Sequence, residues 1–175
     1  CLGFHLEGPF VNPKRSGALP RQGMRAPTVH ELALLQKKAN GHLRVITMAP
    51  ELSGAAKAIN WCRHRGIRVS LGHSVADAQT ATRAVDAGAG LVTHVFNGMP
   101  GFHHRTPSLL DTALTDDRLI TMVIADGVHT SASALRNSRA AGAAAPAADG
   151  PICPKTCSRW TRLPGRASSA RAAVK

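Results

Sequence analysis

HLEGPF at positions 5–10 and VTHVFN at positions 92–97 are the two stretches that decide the fold of this chain. In each, an apolar run ends in a residue that can bind a metal ion, Glu7 in the first and His94 in the second. Three similar apolar runs lie elsewhere along the chain, at 43–48, 67–71 and 119–125. Continuous apolar runs of this length are typical of strands in a parallel sheet, which are covered on both faces.

Helix-length segments separate these runs. The pattern predicts helices at 28–39, 53–64 and 75–87, and a loop with a short helix within 100–114. Strands that alternate with helices indicate parallel βα units, so the fold class is α/β. A doubly wound sheet and a barrel both fit this alternation. A complete (β/α)8 barrel has eight such units in about 250 residues, so a barrel with five strands would be a partial one.

The alternation stops near Arg136, and we therefore expect a partial barrel domain at 1–136 and an irregular, basic tail at 137–175. The tail is rich in Ala, Pro and Gly without helical or strand periodicity, which is typical of disorder. The abrupt change of composition also fits a shift of reading frame. Since residue 1 is cysteine and the first methionine is Met24, we expect that the natural start has been lost.

Charge and composition exclude several classes of protein. The formal net charge is +12, and residues 137–175 contribute half of it, with seven Lys or Arg against one acid. These basic residues are scattered and lack interleaved aromatic rings, so we expect no specific nucleic-acid partner. No apolar run reaches the roughly 20 residues that span a bilayer. The four cysteines lack a framework spacing, which predicts a cytoplasmic protein with free thiols.

Polar residues follow the predicted strands at their carboxyl ends. Glu7 ends the first strand and His94 ends the fourth, predicted at 91–94, while His73 follows the third and Asp126 and His129 follow the fifth. The carboxyl ends of parallel barrel strands share one rim, where barrel active sites lie. Two imidazoles and a carboxylate leave an open coordination position on Zn²⁺ or Fe²⁺. The pattern therefore predicts a divalent metal site, although a single histidine at a strand end is more often structural.

Four motifs in order are similar to those of the N-acetylglucosamine-6-phosphate deacetylase family, of the amidohydrolase superfamily. They are HLEGPFVNPKRSGAL at 5–19, LGHS at 71–74, THVFNGMP at 93–100 followed by HHRTP, and ADGVH at 125–129. The resemblance implies that Glu7, His73 and His94 bind the metal. It also implies a set of residues that bind the amino-sugar phosphate: Ala18, Asn97, Gly98, Arg105, Asp126 and His129.

The same resemblance implies hydrolysis of the N-acetyl group of N-acetylglucosamine 6-phosphate, which yields acetate and glucosamine 6-phosphate. In an intact protein it implies a homodimer in which Arg105 reaches the partner's substrate phosphate. A guanidinium suits that role because it binds phosphate through two hydrogen bonds.

Two departures from the family pattern weaken the expectation of activity. Leu19 stands where the family has a histidine that contacts substrate, and leucine forms no hydrogen bond. The family's catalytic aspartate, in a Thr-Asp-Ala context, has no counterpart here, since Asp149 is the only acid beyond His129. The catalytic residue is therefore unknown, and we expect little or no turnover. Two alternatives stay open: another amidohydrolase, such as a deaminase, and a degraded gene product that is not an enzyme.

Overall fold

A single parallel sheet of five strands organises the chain. The computed structural model describes residues 2–140, apart from the side chains of residues 139 and 140. The strands are β1 (Phe4–Glu7), β2 (Leu43–Met48), β3 (Arg68–Leu71), β4 (Leu91–Val92) and β5 (Ile120–Thr121). Their order in the sheet follows their order in the chain, and every neighbouring pair is parallel. A doubly wound sheet would reverse its order at a switch point, so this sheet is part of a barrel, and the α/β prediction is confirmed.

Four helices connect successive strands and cover the outer face of the sheet, and a fifth follows β5. They are α1 (Val29–Lys38), α2 (Ala55–Arg63), α3 (Ala78–Ala87), α4 (Leu109–Thr115) and α5 (Ala132–Ala140), and a single 3₁₀ turn lies at Pro13–Arg15. Among the four connecting helices, three begin at capping side chains that accept a backbone N–H: Thr28 at α1, Asp77 at α3 and Ser108 at α4. These caps fix where each helix starts, because the first turn of a helix has no internal partner for its N–H groups.

The hydrophobic core lies between the sheet and these helices. Ile46 of β2, Ile59 of α2 and Leu109 of α4 are fully buried in one continuous cluster that also includes Phe10 and Leu32. Burial of each such side chain contributes roughly 1.5–3 kcal/mol. Because the helices pack along the outside, the carboxyl ends of the strands and the loops after them stay together at one rim.

The structure corrects several predicted boundaries. β4 ends at Val92 and β5 covers two residues, whereas the sequence predicted strands at 91–94 and 119–125. His94 and Phe96 have positive φ values of 31° and 79°, which no strand can accommodate. The third helix begins at Ala78 instead of residue 75, after the loop that carries His73.

Helix α5 was not predicted, and it crosses the expected domain boundary at residue 136. The Ser131 hydroxyl accepts the Ala134 N–H at 3.2 Å, so a capping serine was the signal that the sequence offered. The predicted tail lies outside the described residues from position 141 onward. In the part of the chain that the structure describes, no helix is long and apolar enough to cross a membrane.

Candidate metal centre

Glu7, His73 and His94 converge at the rim formed by the carboxyl ends of the strands. The Glu7 carboxylate oxygen Oε1 lies 2.7 Å from His73 Nε2 and 2.9 Å from His94 Nε2. The two imidazole Nε2 atoms are 3.1 Å apart. Ligands at about 2.0 Å from a tetrahedral Zn²⁺ are separated by about 3.3 Å, so this triangle is close to the spacing of a metal's coordination shell. Each residue offers one ligand atom to this group.

Unusual backbone conformations aim the two imidazoles at Glu7. His73 has φ +49° and His94 has φ +31°, both in the left-handed region that non-glycine residues rarely adopt. Such residues persist only where their surroundings hold them, and they cluster at functional sites. Here the Asn12 N–H donates to the His73 carbonyl at 2.9 Å, and the Asn97 N–H donates to the His94 carbonyl at 2.9 Å.

The proton positions on His73 follow from its partners. A carbonyl oxygen can only accept, so the Nδ1 atom of His73, 2.7 Å from the Arg15 carbonyl, carries the proton. In the neutral ring the lone pair of Nε2 then faces the Glu7 carboxylate. Two acceptors at 2.7 Å repel each other unless a proton or a cation lies between them. The group therefore has the donor chemistry of a cation site, and two nitrogens with one oxygen suit Zn²⁺ or Fe²⁺.

The hydrogen bonds within the cluster shift the pKa values of Glu7 and His73. Hydrogen bonds from His73 and His94 hold the pKa of the Glu7 carboxyl far below its ordinary range. For His73, burial acts to lower the pKa, but the hydrogen bonds to Glu7 and Arg15 outweigh it, so the pKa is raised. The His94 Nδ1 atom is buried and has no hydrogen-bond partner among the described residues. A histidine that binds a metal usually bonds through its other ring nitrogen as well. The unpartnered Nδ1 of His94 is therefore consistent with a side chain that gains this second bond only when the metal is bound.

Hydroxyl groups on neighbouring strands form a hydrogen-bonded network with His5. His5 Nε2 is 2.8 Å from the Thr47 hydroxyl, which in turn is 2.8 Å from the Thr93 hydroxyl. The Ser70 hydroxyl is 2.6 Å from that of Thr93. Burial lowers the pKa of His5. This network joins strands β1 to β3 and the residue that follows β4, and so it supports the strand ends that carry the three candidate ligands.

The residues that resemblance assigned to substrate binding lie at different distances from the cluster. Gly98 is beside it, since a Cβ built there would lie 3.1 Å from His73 Nδ1. Asn97 is half-buried next to Gly98, whereas Ala18 and Arg105 are exposed. Asp126 and His129 are exposed and bonded to each other, with Oδ2 and Nδ1 2.6 Å apart. Among residues 2–140, none of these six side chains hydrogen-bonds to Glu7, His73 or His94, and the contact of Asn97 with His94 is made by its backbone N–H.

Glu51 was not predicted, although it too follows a strand at the same rim. Its carboxylate accepts the Asn12 side-chain amide at 2.9 Å, the Ser74 hydroxyl at 2.7 Å and the Val75 N–H at 2.7 Å. It thereby joins the loops that follow β1, β2 and β3. The signal in the sequence was its position just beyond β2, equivalent to that of the other polar residues.

The sequence of this chain is similar to those of known sugar-phosphate deacetylases. No protein-family model matches the chain. It is 42% identical over 129 residues to N-acetylglucosamine-6-phosphate deacetylase of Bacillus subtilis, a match that covers 74% of this chain and 33% of the relative. It is also 42% identical over 134 residues to N-acetylgalactosamine-6-phosphate deacetylase of Escherichia coli O157:H7, covering 77% of this chain and 36% of the relative. The chain spans about a third of the length of the curated relatives it matches.

Solved structures give the same result. An aspartate-to-alanine variant of the Mycobacterium smegmatis N-acetyl-D-glucosamine-6-phosphate deacetylase, in complex with N-acetyl-D-glucosamine-6-phosphate, superposes with a TM-score of 0.77. The sequence identity is 34%, and the match covers 80% of this chain and 37% of that one. The enzyme from Thermotoga maritima superposes with a TM-score of 0.73 at 28% identity, covering 80% of this chain and 37% of its own.

Proposed function

Because this chain is a homologue of N-acetylglucosamine-6-phosphate deacetylases over about three-quarters of its length, we propose that it forms the metal-binding part of an active site that removes the acetyl group from N-acetylglucosamine 6-phosphate. One observation carries the proposal. The ligand atoms of Glu7, His73 and His94 lie 2.7–3.1 Å from one another at the rim where barrel enzymes place their chemistry.

Glu7, His73 and His94 would hold one divalent ion, zinc or iron. Such an ion lowers the pKa of a bound water toward about 7 and polarises a carbonyl. The chain's own residues prepare the site. The lowered pKa of Glu7 keeps its carboxylate ionised, and the bond from His73 Nδ1 to the Arg15 carbonyl fixes that ring in the tautomer with Nε2 free. A fixed tautomer of this kind raises the affinity of a histidine ligand.

The substrate would lie over the loops that follow the strands. We assign the sugar phosphate to Ala18, Asn97, Gly98, Arg105, Asp126 and His129. Arg105 is exposed in the loop before α4, where its guanidinium can bind a phosphate through hydrogen bonds. In a homodimer, this phosphate would belong to the substrate of the partner subunit. Leu19 removes one polar contact, so we expect weaker sugar binding than a histidine at that position would give.

Hydrolysis needs more than binding. The oxygen of water must join the acetyl carbon, the carbon–nitrogen bond must break, and a carboxylate must carry the water's proton to the leaving amine. Since the family's Thr-Asp-Ala aspartate has no counterpart in this sequence, we expect binding with little turnover. The E. coli relative acts on the galactosamine epimer, so N-acetylgalactosamine 6-phosphate is the second candidate substrate.

Calorimetric titration of the zinc-loaded 175-residue chain with each sugar phosphate tests the proposal, with acetate release measured in parallel. We expect binding of N-acetylglucosamine 6-phosphate that needs both metal and phosphate and that weakens at least tenfold in Arg105→Ala. Arg68→Ala is the matched control, because that exposed arginine begins β3 at the opposite rim. No binding to the metal-loaded chain would refute the proposal, and ammonia release from nucleobases would favour a deaminase instead.

A further inference from the structure

We infer that Glu51 is a positioning residue that holds His73 in place as a metal ligand, an inference that rests on the proposed metal site. Glu51 lies three residues beyond β2 and does not belong to the cluster of candidate ligands. Its carboxylate is instead the point where three loops of the rim are joined. The geometry of those contacts explains how a loop without regular structure can hold an imidazole in a strained conformation.

The contacts reach the residues that follow His73 and the residue that bonds its carbonyl. Oε2 of Glu51 accepts the hydroxyl of Ser74, the residue after His73, and Oε1 accepts the N–H of Val75. Oε1 also accepts the side-chain amide of Asn12, whose own backbone N–H donates to the His73 carbonyl. Every one of these bonds is 2.7–2.9 Å long. Glu51 therefore fixes the two residues that follow His73 and the residue that bonds its carbonyl.

His73 needs such support, because its φ of +49° lies in the left-handed region. The loop would relax toward an ordinary conformation if it were free, and the imidazole would then turn away from Glu7. The next backbone bond, from the Ser74 N–H to the Gly98 carbonyl at 3.0 Å, links the same loop to the residues that follow His94. Loss of the Glu51 carboxylate would thus loosen the distances among all three candidate ligands.

The type of side chain at position 51 matches its partners. An ionised carboxylate only accepts hydrogen bonds, and here it meets three donors. Glutamine keeps this arrangement: its oxygen accepts from Asn12 and Val75, while its amide donates to the Ser74 hydroxyl. Alanine keeps none of it. Comparison of Glu51→Gln with Glu51→Ala therefore separates positioning by hydrogen bonds from bulk stability.

The test measures the affinity of the full 175-residue chain for Zn²⁺ by chelator competition, and the visible absorption of the Co²⁺ form. We expect Glu51→Ala to weaken zinc affinity 10- to 100-fold, the range found for residues that orient metal ligands, and to change the Co²⁺ spectrum. Glu51→Gln should stay within about threefold of the parent chain. Asp77→Ala is the control, since Asp77 caps α3 in the same loop without touching Glu51 or His73.

Each outcome bears on a distinct point. If the parent chain binds no zinc, the proposed metal site fails and this inference fails with it. If the parent binds and Glu51→Ala binds within threefold of it, or Glu51→Gln loses as much as Glu51→Ala, the positioning role is wrong and the metal site stands. Should Glu51→Ala not fold, Ser74→Ala removes the Oε2 contact, together with the bond that the Ser74 hydroxyl accepts from the Ala76 N–H. It must still lower zinc affinity while Asp77→Ala does not.

Discussion

Substitution of Gly98 by alanine is the sharpest probe of how tightly the candidate metal centre is built. Gly98 has φ +62°, and a methyl group there would lie 3.1 Å from His73 Nδ1, 3.4 Å from His73 Cε1 and 3.5 Å from His94 Cε1. The closest contact requires the imidazole to move by a few tenths of an ångström. Metal–ligand distances tolerate only about 0.2 Å, so the ring cannot give way and keep its place as a ligand.

Two effects must be separated in this variant. Any L-residue in the left-handed region costs about 1–2 kcal/mol, which lowers the melting temperature of a chain of this size by roughly 2–8 °C. Gly66→Ala measures that cost alone, because Gly66 has a similar φ of +69° and nothing lies within 4 Å of its added Cβ. Gly98→Ala should show the same backbone cost together with displacement of His73, whereas the 3.5 Å approach to His94 Cε1 is an ordinary van der Waals contact.

The assay is zinc affinity by chelator competition beside thermal unfolding of the metal-free chains. We expect both variants to lose comparable stability, while only Gly98→Ala loses zinc affinity, by tenfold or more. Equal zinc affinity in Gly98→Ala and Gly66→Ala would refute the reasoning, because the close approach of Gly98 to the imidazoles would then have no consequence for the ligands.

Other expectations concern the fold and the exposed turn after β5. Thr28→Ala should destabilise the chain by about 1 kcal/mol in urea unfolding, since its hydroxyl oxygen accepts the Glu31 N–H at 3.2 Å; an unchanged midpoint would contradict this cap. Ile59→Ala should cost about 2–5 kcal/mol because Ile59 is fully buried, and a loss below 1 kcal/mol would contradict its place in the core. A hydrogen bond with the His129 side chain, followed by bonds from backbone N–H groups, lowers the pKa of Asp126 to about 2. The contribution of Asp126 to the stability of the turn is therefore fully present above an ordinary aspartate pKa of about 3.9. It is lost as the pH falls through about 2. Carboxyl titration by NMR checks this, and a midpoint near 3.9 would be inconsistent with the bonded turn.

The sequence predicted the elements whose signals are local. β2 was predicted at its observed bounds because LRVITM is one apolar run. The end of β4 was wrong because His94 and Phe96 take left-handed conformations, which depend on tertiary contacts and leave no mark on composition. β5 was predicted too long because β4 offers it only two paired residues, Leu91 and Val92. Helix α5 was missed because its composition resembles the tail that follows it, although Ser131 could have indicated its start.

The candidate ligands could be predicted because each follows a strand, and parallel strands align their ends at one rim. Glu51 could not be identified in the same way, although it follows a strand too. Its role depends on partners 23–39 positions away along the chain, Ser74 and Asn12, whose approach only the folded loops reveal. The tautomer of His73 likewise depends on the Arg15 carbonyl, 58 positions earlier in the chain.

A crystal structure of the zinc-soaked chain, with anomalous data collected on both sides of the zinc edge, tests most directly whether these three side chains hold a metal. We expect one strong anomalous peak about 2.0–2.2 Å from a Glu7 carboxylate oxygen and from the Nε2 atoms of His73 and His94. A chain that crystallises with the three side chains directed apart, or with zinc bound elsewhere and none among them, would contradict the metal centre.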